Sequence, residues 1–439
     1  MPENVIAVAL LLPDLTRSVA EEHLAELEKL IETAGGTVVD RVFAKRPRPD
    51  PATYVGSGKA EQIKSLAAKG GASLIVFDDD LSPAQARNLE KITEVKVIDR
   101  SGLILDIFAG RARSREARTQ VELAQLEYML PRLTRAWTHL ERQAGGIGTR
   151  GVGETQLELD RRIIRNRIAR LKEELTKIER TRETQRKSRH AVFTVALVGY
   201  TNAGKSTLFN RLTSGSADAA DKLFATLDAK SARAAFAMPR ETVIIDTVGF
   251  IRKLPHHLVA SFRSTMEEAV AADLVLHVID SSHPQFEDQR TVGDDVLRGL
   301  GVQMDRVIEV YNKADLAEGY RGFEVARSRG EDSPEHRETA KPRDLATAKS
   351  ATVSALTGRS IERLIEIIRG RELENGEIIR LEIPHNDARV IARLHDIAQV
   401  YEQRVTDRAM LITAWIPRDV LHLFEEYAAV GLLKPAKVG

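Results

Sequence analysis

Apolar residues follow two alternating rhythms along this chain, and the alternation predicts where strands and helices lie. From Met1 to about Gly110, four short apolar runs (Val5–Leu12, Thr37–Phe43, Leu74–Phe77 and Val95–Ile98) are separated by stretches such as Leu24, Leu27, Leu30 and Ile31, which recur at helical spacing. That βαβ rhythm predicts a small N-terminal α/β domain over residues 1–110 with a largely parallel sheet. Between Arg115 and Arg142, Leu123, Leu126, Leu130 and Leu133 step by three and four; between Glu154 and Ser188, Leu157, Ile164, Ile168, Leu171, Leu175 and Ile178 do the same. These predict two long helices with a coiled-coil seam. The glycines of Gly145-Gly-Ile-Gly-Thr-Arg-Gly-Val-Gly153 let neither helix continue, so an antiparallel helical hairpin is expected over 111–190, with Arg150 at its tip.

A third alternation runs over 191–370, with candidate strands at Val192–Val198, Thr242–Asp246, Leu274–Asp280, Arg306–Tyr311 and Ala351–Ser354. It predicts a doubly wound P-loop domain. Within it, 321–349 is polar and holds Pro334 and Pro342, which marks an insertion. Residues 371–439 read as a small C-terminal α+β domain, with strands at Ile378–Ile383 and Met410–Trp415, a helix over Asp387–Tyr401 and a last helix near Arg418–Tyr427. The fold class is therefore α/β and multidomain.

Composition narrows the function classes. With 43% hydrophobic and 29% charged residues the chain is globular, and its 439 residues call for several domains. No cysteine is present, which excludes disulfides, thiolate metal sites and cysteine nucleophiles. No run approaches the roughly 20 apolar residues of a membrane span, and Val5–Leu12 lacks a cationic leader, so a cytoplasmic protein is expected. The net charge of +1 conceals an asymmetry: residues 111–189 hold 20 Lys/Arg against 11 Asp/Glu, +9, which leaves the remainder at −8. A basic helical segment on a mildly acidic chain fits a polyanionic partner, or else a solvated helical surface.

The chemistry concentrates in the third domain. Gly199-Tyr200-Thr201-Asn202-Ala203-Gly204-Lys205-Ser206, with Thr207 next, follows an apolar strand and opens a helix, which is the context a phosphate loop requires. Its backbone N–H groups turn toward a β-phosphate, Lys205 reaches the β- and γ-phosphates, and Ser206 can ligate Mg²⁺. Asn312-Lys313-Ala314-Asp315 follows the Val307–Tyr311 strand. The Asp315 carboxylate can accept from guanine N1–H and N2–H₂, a donor pair that adenine lacks. Ser354-Ala355-Leu356 completes the set, with the Ala355 N–H directed at guanine O6. Asp246-Thr247-Val248-Gly249 ends a strand where a carboxylate approaches Mg²⁺ and a glycine N–H meets the γ-phosphate. Thr226 is the candidate switch threonine, a Mg²⁺ ligand only with GTP bound. GTP, GDP and Mg²⁺ are the expected ligands, and Lys205, Thr226 and Gly249 the candidate catalytic groups. Phe250 stands where many GTPases place the glutamine that orients water, so slow turnover accelerated by a partner is expected.

Weaker signals read more plainly. Val55-Gly-Ser-Gly-Lys59 has too few residues between its glycines for a phosphate loop and is expected to be a turn. His256, His257, His283, His385 and His395 have no metal-ligand spacing. Trp137 and Trp415 are expected to pack in cores.

Taken together, Gly199–Thr207, Asp246–Phe250, Asn312–Asp315 and Ser354–Leu356 resemble the translation-factor-related GTPases with a hydrophobic substitute for the glutamine. Asp99-Arg-Ser-Gly-Leu-Ile-Leu-Asp-Ile-Phe108, Gln120–Leu126, Leu130-Pro-Arg-Leu133 and above all Gly145–Glu158 are similar to the HflX family, with Val152 where that family usually has proline. The resemblance implies a protein that binds the large ribosomal subunit and its rRNA or the whole ribosome, is stimulated by it in GTP hydrolysis, and splits stalled ribosomes or assists subunit maturation under stress; a monomer is expected. Some members are suggested to use ATP at the N-terminal domain. Asn202 implies a K⁺ ligand beside the phosphates, as this position serves in related GTPases. An RNA-modification enzyme with an embedded GTPase shares the Asn202 variant, but the familiar C-terminal cysteine is missing. A scaffold with a degenerate G domain disagrees with the intact Lys205, Ser206, Asp246 and Asp315.

Overall fold

The first apolar run becomes an inner strand of a four-stranded parallel sheet in the computed structural model, which describes residues 3–13, 15–133, 156–187, 192–213, 223–224, 228–253, 263–316 and 348–428. The chain groups into two units. One comprises Met1–Arg182, Ala220–Asp228 and Lys253–Ser264; the other comprises Glu183–Ala219, Ala229–Arg252 and Thr265–Gly439.

In the first unit, strands β1 (Asn4–Leu11), β2 (Thr37–Lys45), β3 (Leu74–Phe77) and β4 (Lys96–Asp99) run in the order β2-β1-β3-β4, all parallel. Helices α1 (Arg17–Thr33), α2 (Ser57–Gly70), α3 (Pro83–Thr93) and α4 (Arg100–Arg111) alternate with them. A parallel sheet covered on both faces has no solvated side, which is why β1 and β3 read as unbroken apolar runs. Leu24, Leu27, Leu30 and Ile31 of α1 are buried as their spacing predicts. Of the expected turn Val55–Lys59, only Val55 and Gly56 precede α2; Gly56 at φ 90° is its N-cap, and Ser57–Lys59 form the first turn of the helix.

The motif at Asp99 has a packing explanation. Its carboxylate caps α4 through the Gly102 N–H (2.9 Å) and also accepts from Leu81 N (3.1 Å), Tyr128 Oη (2.8 Å) and Arg132 Nη2 (2.8 Å). A Cβ at Gly102 would stand 2.7 Å from the Tyr128 hydroxyl, so only glycine fits beneath that hub. Helix α5 (Arg115–Met129) ends earlier than the expected Arg142. Pro131 lacks the N–H that another helical turn would need, and Leu130–Arg132 tightens into a 3₁₀ turn. Helix α6 (Gln156–Lys187) runs back beside it, with Glu122 paired to Arg167 (2.7 Å) and Arg115 to Glu174 (2.6 Å), an antiparallel register. The glycine-rich segment with Arg142 and Arg150, together with Trp137, lies outside the described residues, as does the 321–347 part of the expected insertion.

In the second unit, β5 (Val192–Gly199), β6 (Lys230–Arg233), β7 (Glu241–Asp246), β8 (Leu274–Asp280), β9 (Val307–Asn312) and β10 (Ser350–Thr352) form a sheet in the order β10-β9-β8-β5-β7-β6. Only β6 is antiparallel. Helices α7 (Lys205–Leu212), α8 (Arg263–Ala271), α9 (Phe286–Gly299) and α10 (Ile361–Glu374) accompany it. Strand β6, Lys-Ser-Ala-Arg, was not expected: it is an edge strand of four residues with no apolar alternation, and only its pairing with β7 defines it. The core includes Val195, Leu197, Leu208, Leu276, Val310 and Leu364, all buried. Each such side chain contributes about 1.5–3 kcal/mol.

The C-terminal sheet of β11 (Gly376–Pro384), β12 (Gln399–Val405) and β13 (Ala409–Pro417) is antiparallel in the order β11-β13-β12. Two expectations are corrected here. Helix α11 (Ala388–Ile397) stops before Tyr401, and the remainder of the expected helix is β12, whose Val400 and Val405 flank a largely exposed face on an edge. The last expected helix is instead a pair of 3₁₀ turns, Arg418–Leu423 and Glu425–Tyr427.

Trp415 packs in the core as expected, its indole N–H donating to Leu373 O (3.0 Å). Beside it, Arg240 donates to fully buried Glu372 (3.2 Å) while its guanidinium lies 5.4 Å from the Phe193 ring and 5.6 Å from the Trp415 ring. Burial pushes the Glu372 carboxyl up to about 7 from 4.5, and the Arg240 charge only partly opposes it. Between those values the unfolded chain has lost this proton while the folded chain keeps it, so stability from Glu372 is fully present below 4.5 and lost as pH rises to about 7. The stability advantage of the parent over Glu372→Gln, measured by thermal unfolding, is therefore expected to shrink from pH 5 to pH 8; a constant difference would refute the shift.

Candidate functional site

The carboxyl ends of β5, β7, β8 and β9 converge where the second unit carries its glycine-rich loop. That loop follows β5 directly and delivers the chain into α7 through Gly204, which sits at φ 90°. A Cβ at Gly204 would fall 2.2 Å from Asn312 Nδ2, so the glycine is required both by its backbone conformation and by the side chain pressed against it.

Lys205 is buried, and its ammonium donates to the carbonyls of Gly199 (3.1 Å) and Tyr200 (2.8 Å). Burial lowers its pKa to about 8, the negative charge of Asp246 working in the opposite direction. Ser206 Oγ donates to Asp246 Oδ2 at 2.7 Å. A hydroxyl and a carboxylate are hard oxygen donors, and Mg²⁺ takes few protein ligands of that kind while retaining water and substrate phosphate. The pair therefore fits Mg²⁺, although no three His, Cys, Asp or Glu side chains gather into a metal cage among the described residues.

The segment after Asp246 is tied back onto the loop. Thr247 commits its hydroxyl to Leu197 O (2.7 Å) and Val248 is buried, so both side chains brace the strand end. The Phe250 N–H donates to Gly199 O (2.8 Å), and Phe250 O accepts from Thr201 N (2.7 Å). The Phe250 ring is buried, in keeping with a residue that cannot orient water. A Cβ at Gly249 would stand 2.8 Å from both Lys205 Nζ and Thr201 Cα, so this approach also admits only glycine. The Arg252 N–H donates to Tyr200 Oη at 2.8 Å.

On the base side, the Asn312 amide bridges two loops: Nδ2 donates to Ala203 O (2.8 Å) and Oδ1 accepts from Ala355 N (2.9 Å). The N–H assigned to guanine O6 is thus directed to Asn312, and a contact with O6 shares that donor. Ser354 Oγ donates to Asp315 Oδ1 (2.5 Å), which turns the expected base-reading carboxylate toward the Ser354–Leu356 loop. Lys313 pairs with Asp280 Oδ2 (2.7 Å). Asn202, at φ 63°, is exposed on the loop. The structure thus gathers Gly199–Thr207, Asp246–Gly249, Asn312–Asp315 and Ser354–Leu356, while Thr226 lies outside the described residues.

The residues flanking Thr226 belong to the first unit. Phe224 is buried edge-on against Phe108 of α4, with ring centroids 4.7 Å apart. Asp228 accepts from the backbone N–H groups of Arg113 (2.9 Å) and Ser114 (3.1 Å) and pairs with the Ser114 hydroxyl at the start of α5. Lys253, three residues after Phe250, holds Asp78 (2.6 Å) and Asp79 (2.5 Å) at the end of β3. Sequence reasoning identified none of these anchors, because their partners lie more than a hundred residues away. It also missed Asp280 and Arg211, the latter donating to Ala355 O (3.1 Å) and Leu356 O (2.6 Å).

Family models cover the chain in succession: a GTP-binding GTPase N-terminal region matches residues 21–109, a GTP-binding GTPase middle region 111–189, and a 50S ribosome-binding GTPase 194–313. The GTPase HflX of Magnetococcus marinus is 45% identical over 409 residues, 92% of this chain and 90% of the relative. That of Escherichia coli is 44% identical over 386 residues, 87% and 86% respectively. A solved structure of SsGBP with GDP is 25% identical and covers 83% of this chain and 97% of its own, at a TM-score of 0.46.

An anionic phosphate beside Lys205 raises a pKa that burial holds near 8, so nucleotide binding should draw in a fraction of a proton just above that pH. Titration calorimetry of GDP binding at pH 8.5, in two buffers of different ionisation enthalpy, should reveal this uptake. Lys205→Arg, which does not titrate there, should lose it. Buffer-independent heats in the parent would refute the lowered Lys205 pKa.

Proposed function

Because this chain belongs to the HflX family of GTPases, we propose that its GTP hydrolysis operates a switch acting on the large ribosomal subunit, with a role in splitting stalled ribosomes or in subunit maturation under stress. The observation that carries the nucleotide reading is the Asn312 bridge, which holds the phosphate loop and the Ser354–Leu356 loop in one bonded assembly. In this reading the backbone of Gly199–Thr207 surrounds the β-phosphate and Lys205 leaves its two carbonyls for phosphate oxygens. Asp315 and the Ala355 N–H read guanine. Ser206, Asp246 and Thr226 would hold Mg²⁺, which, when bound, neutralises charge on the β- and γ-phosphates. The Gly249 N–H faces the γ-phosphate.

The buried Phe250 ring offers the attacking water no hydrogen bond, so intrinsic turnover is slow and the ribosome supplies the orientation or charge that is missing. The 50S ribosome-binding family match and the +9 segment at 111–189 support the large subunit as that partner. Asn202, exposed on the loop at φ 63°, is the residue whose amide would ligate K⁺ in this reading. Among the described residues no helix is long and apolar enough to cross a membrane.

Asp315→Asn should weaken GTP and favour xanthosine triphosphate, because an amide offers a donor to the xanthine O2 where guanine presents its own. Unchanged GTP affinity in an equilibrium titration would sink the base-reading assignment. For the partner, binding of the GTP form to purified large subunits should weaken as salt rises. Arg142→Ala with Arg150→Ala should reduce both the binding and its salt slope without altering nucleotide affinity; pelleting like the parent at every salt concentration would remove this segment from the contact. Hydrolysis should be faster in K⁺ than in Na⁺ at matched ionic strength, and equal rates would exclude the Asn202 cation site.

A further inference from the structure

Ala355 sits between two peptide planes, and each is held by a different side chain. On its N–H side stands the Asn312 carboxamide. On its carbonyl side stands Arg211, whose Nε donates to Ala355 O at 3.1 Å and whose Nη2 donates to Leu356 O at 2.6 Å. Arg211 belongs to α7, the same eight-residue helix that opens with Lys205 and Ser206. The helix under the phosphate loop is thereby strapped to a loop 144 residues away in sequence.

Ala355 itself is buried at the edge of the core, whereas Leu356 is 70% exposed, so beyond Ala355 no apolar burial fixes the loop. The chain turns back at Gly358, φ 88°, where the Gly358 N–H returns to Ser354 O (2.9 Å) and the Thr357 N–H to Ser354 Oγ (3.2 Å). Those bonds close the turn on the Ser354 side and leave the carbonyls of Ala355 and Leu356 to the guanidinium. A planar fork with two parallel donors fixes orientation as well as distance, which a single ammonium cannot do.

We infer that Arg211 is a positioning residue for guanine recognition: by holding the carbonyls of Ala355 and Leu356 it fixes the peptide plane that follows Ala355, which limits how far the neighbouring plane with the Ala355 N–H can turn from the base oxygen O6, and it slows nucleotide release. The inference rests on the reading of Ser354–Leu356 as the base loop. Arg211 does not touch the base, so its removal acts on the O6 contact made through Ala355. The N1 and N2 contacts of Asp315 depend instead on Ser354 and stay intact.

The test compares GDP with two analogues: the diphosphate of 2-aminopurine riboside, which lacks O6, and inosine diphosphate, which lacks the 2-amino group. Arg211→Met keeps the aliphatic stem and deletes the donors, and Arg211→Lys restores a single donor. In Arg211→Met, GDP release should accelerate about tenfold, the effect of losing a hydrogen bond to a charged group. The preference for GDP over the 2-aminopurine analogue should fall by a similar factor, and the preference over inosine diphosphate should not change. Arg211→Lys should fall between parent and Arg211→Met. If Arg211→Met kept the parent's ratio for the 2-aminopurine analogue, or weakened all three ligands equally, the positioning role would be overturned while the base-loop reading stood. A parent that bound all three diphosphates alike would overturn the base-loop reading and this inference together.

Discussion

The carboxamide of Asn312 donates to the carbonyl of Ala203 and accepts the N–H of Ala355, so one buried side chain at the end of β9 fixes the distance between the loop that meets phosphate and the loop that meets base. The rest of the site is built around that spacing. Gly204 is glycine because the Asn312 amide occupies the space a Cβ would fill. An aspartate here would carry a charge into a buried position and lose the donor, so the requirement is for an amide in particular. Arg211 adds a second, more exposed link between the same two regions, and the two together frame Ala355 from both sides.

Close approach is the other constraint at the phosphate end. Gly199, Gly204 and Gly249 each stand where an added Cβ would come within 3 Å of a neighbouring atom, so the backbone and the Lys205 side chain pack as tightly as a core. Burying an ammonium in such a place lowers its pKa, and Lys205 compensates by donating to two backbone carbonyls. A phosphate competes for the same protons with a full negative charge, which is why a buried lysine can be both costly to the fold and effective toward its ligand.

The candidate switch stretches have their own framework within the first unit. Phe224 and Asp228 bracket Thr226 and are fixed on α4 and at the start of α5, while Lys253 is fixed on the acidic end of β3. The aromatic contact and the helix cap are short-range interactions, so they resist displacement locally and lose their hold once separated.

Much of this was legible in the amino-acid sequence, because the features concerned are local. The apolar runs of β1, β3, β5 and β8 announce buried parallel strands, the glycines of the phosphate loop announce a tight strand-to-helix turn, and Asn312–Asp315 follows its strand at a spacing that few other functions require. Elements whose definition depends on a partner were not legible. Strand β6 is four polar residues made a strand by β7, and β12 is an edge whose sequence continues a helical pattern until pairing with β13 overrides it. Nothing near Arg211 in sequence distinguishes it from a solvated helix arginine, and nothing near Asp228 marks it as the partner of Ser114, the N-cap of α5. Sequence determined which groups could meet a guanine nucleotide, since that chemistry is written in short motifs. Tertiary structure alone decided which side chains hold those motifs in place, because hydrogen bonds between residues far apart in sequence exist only once the chain has folded.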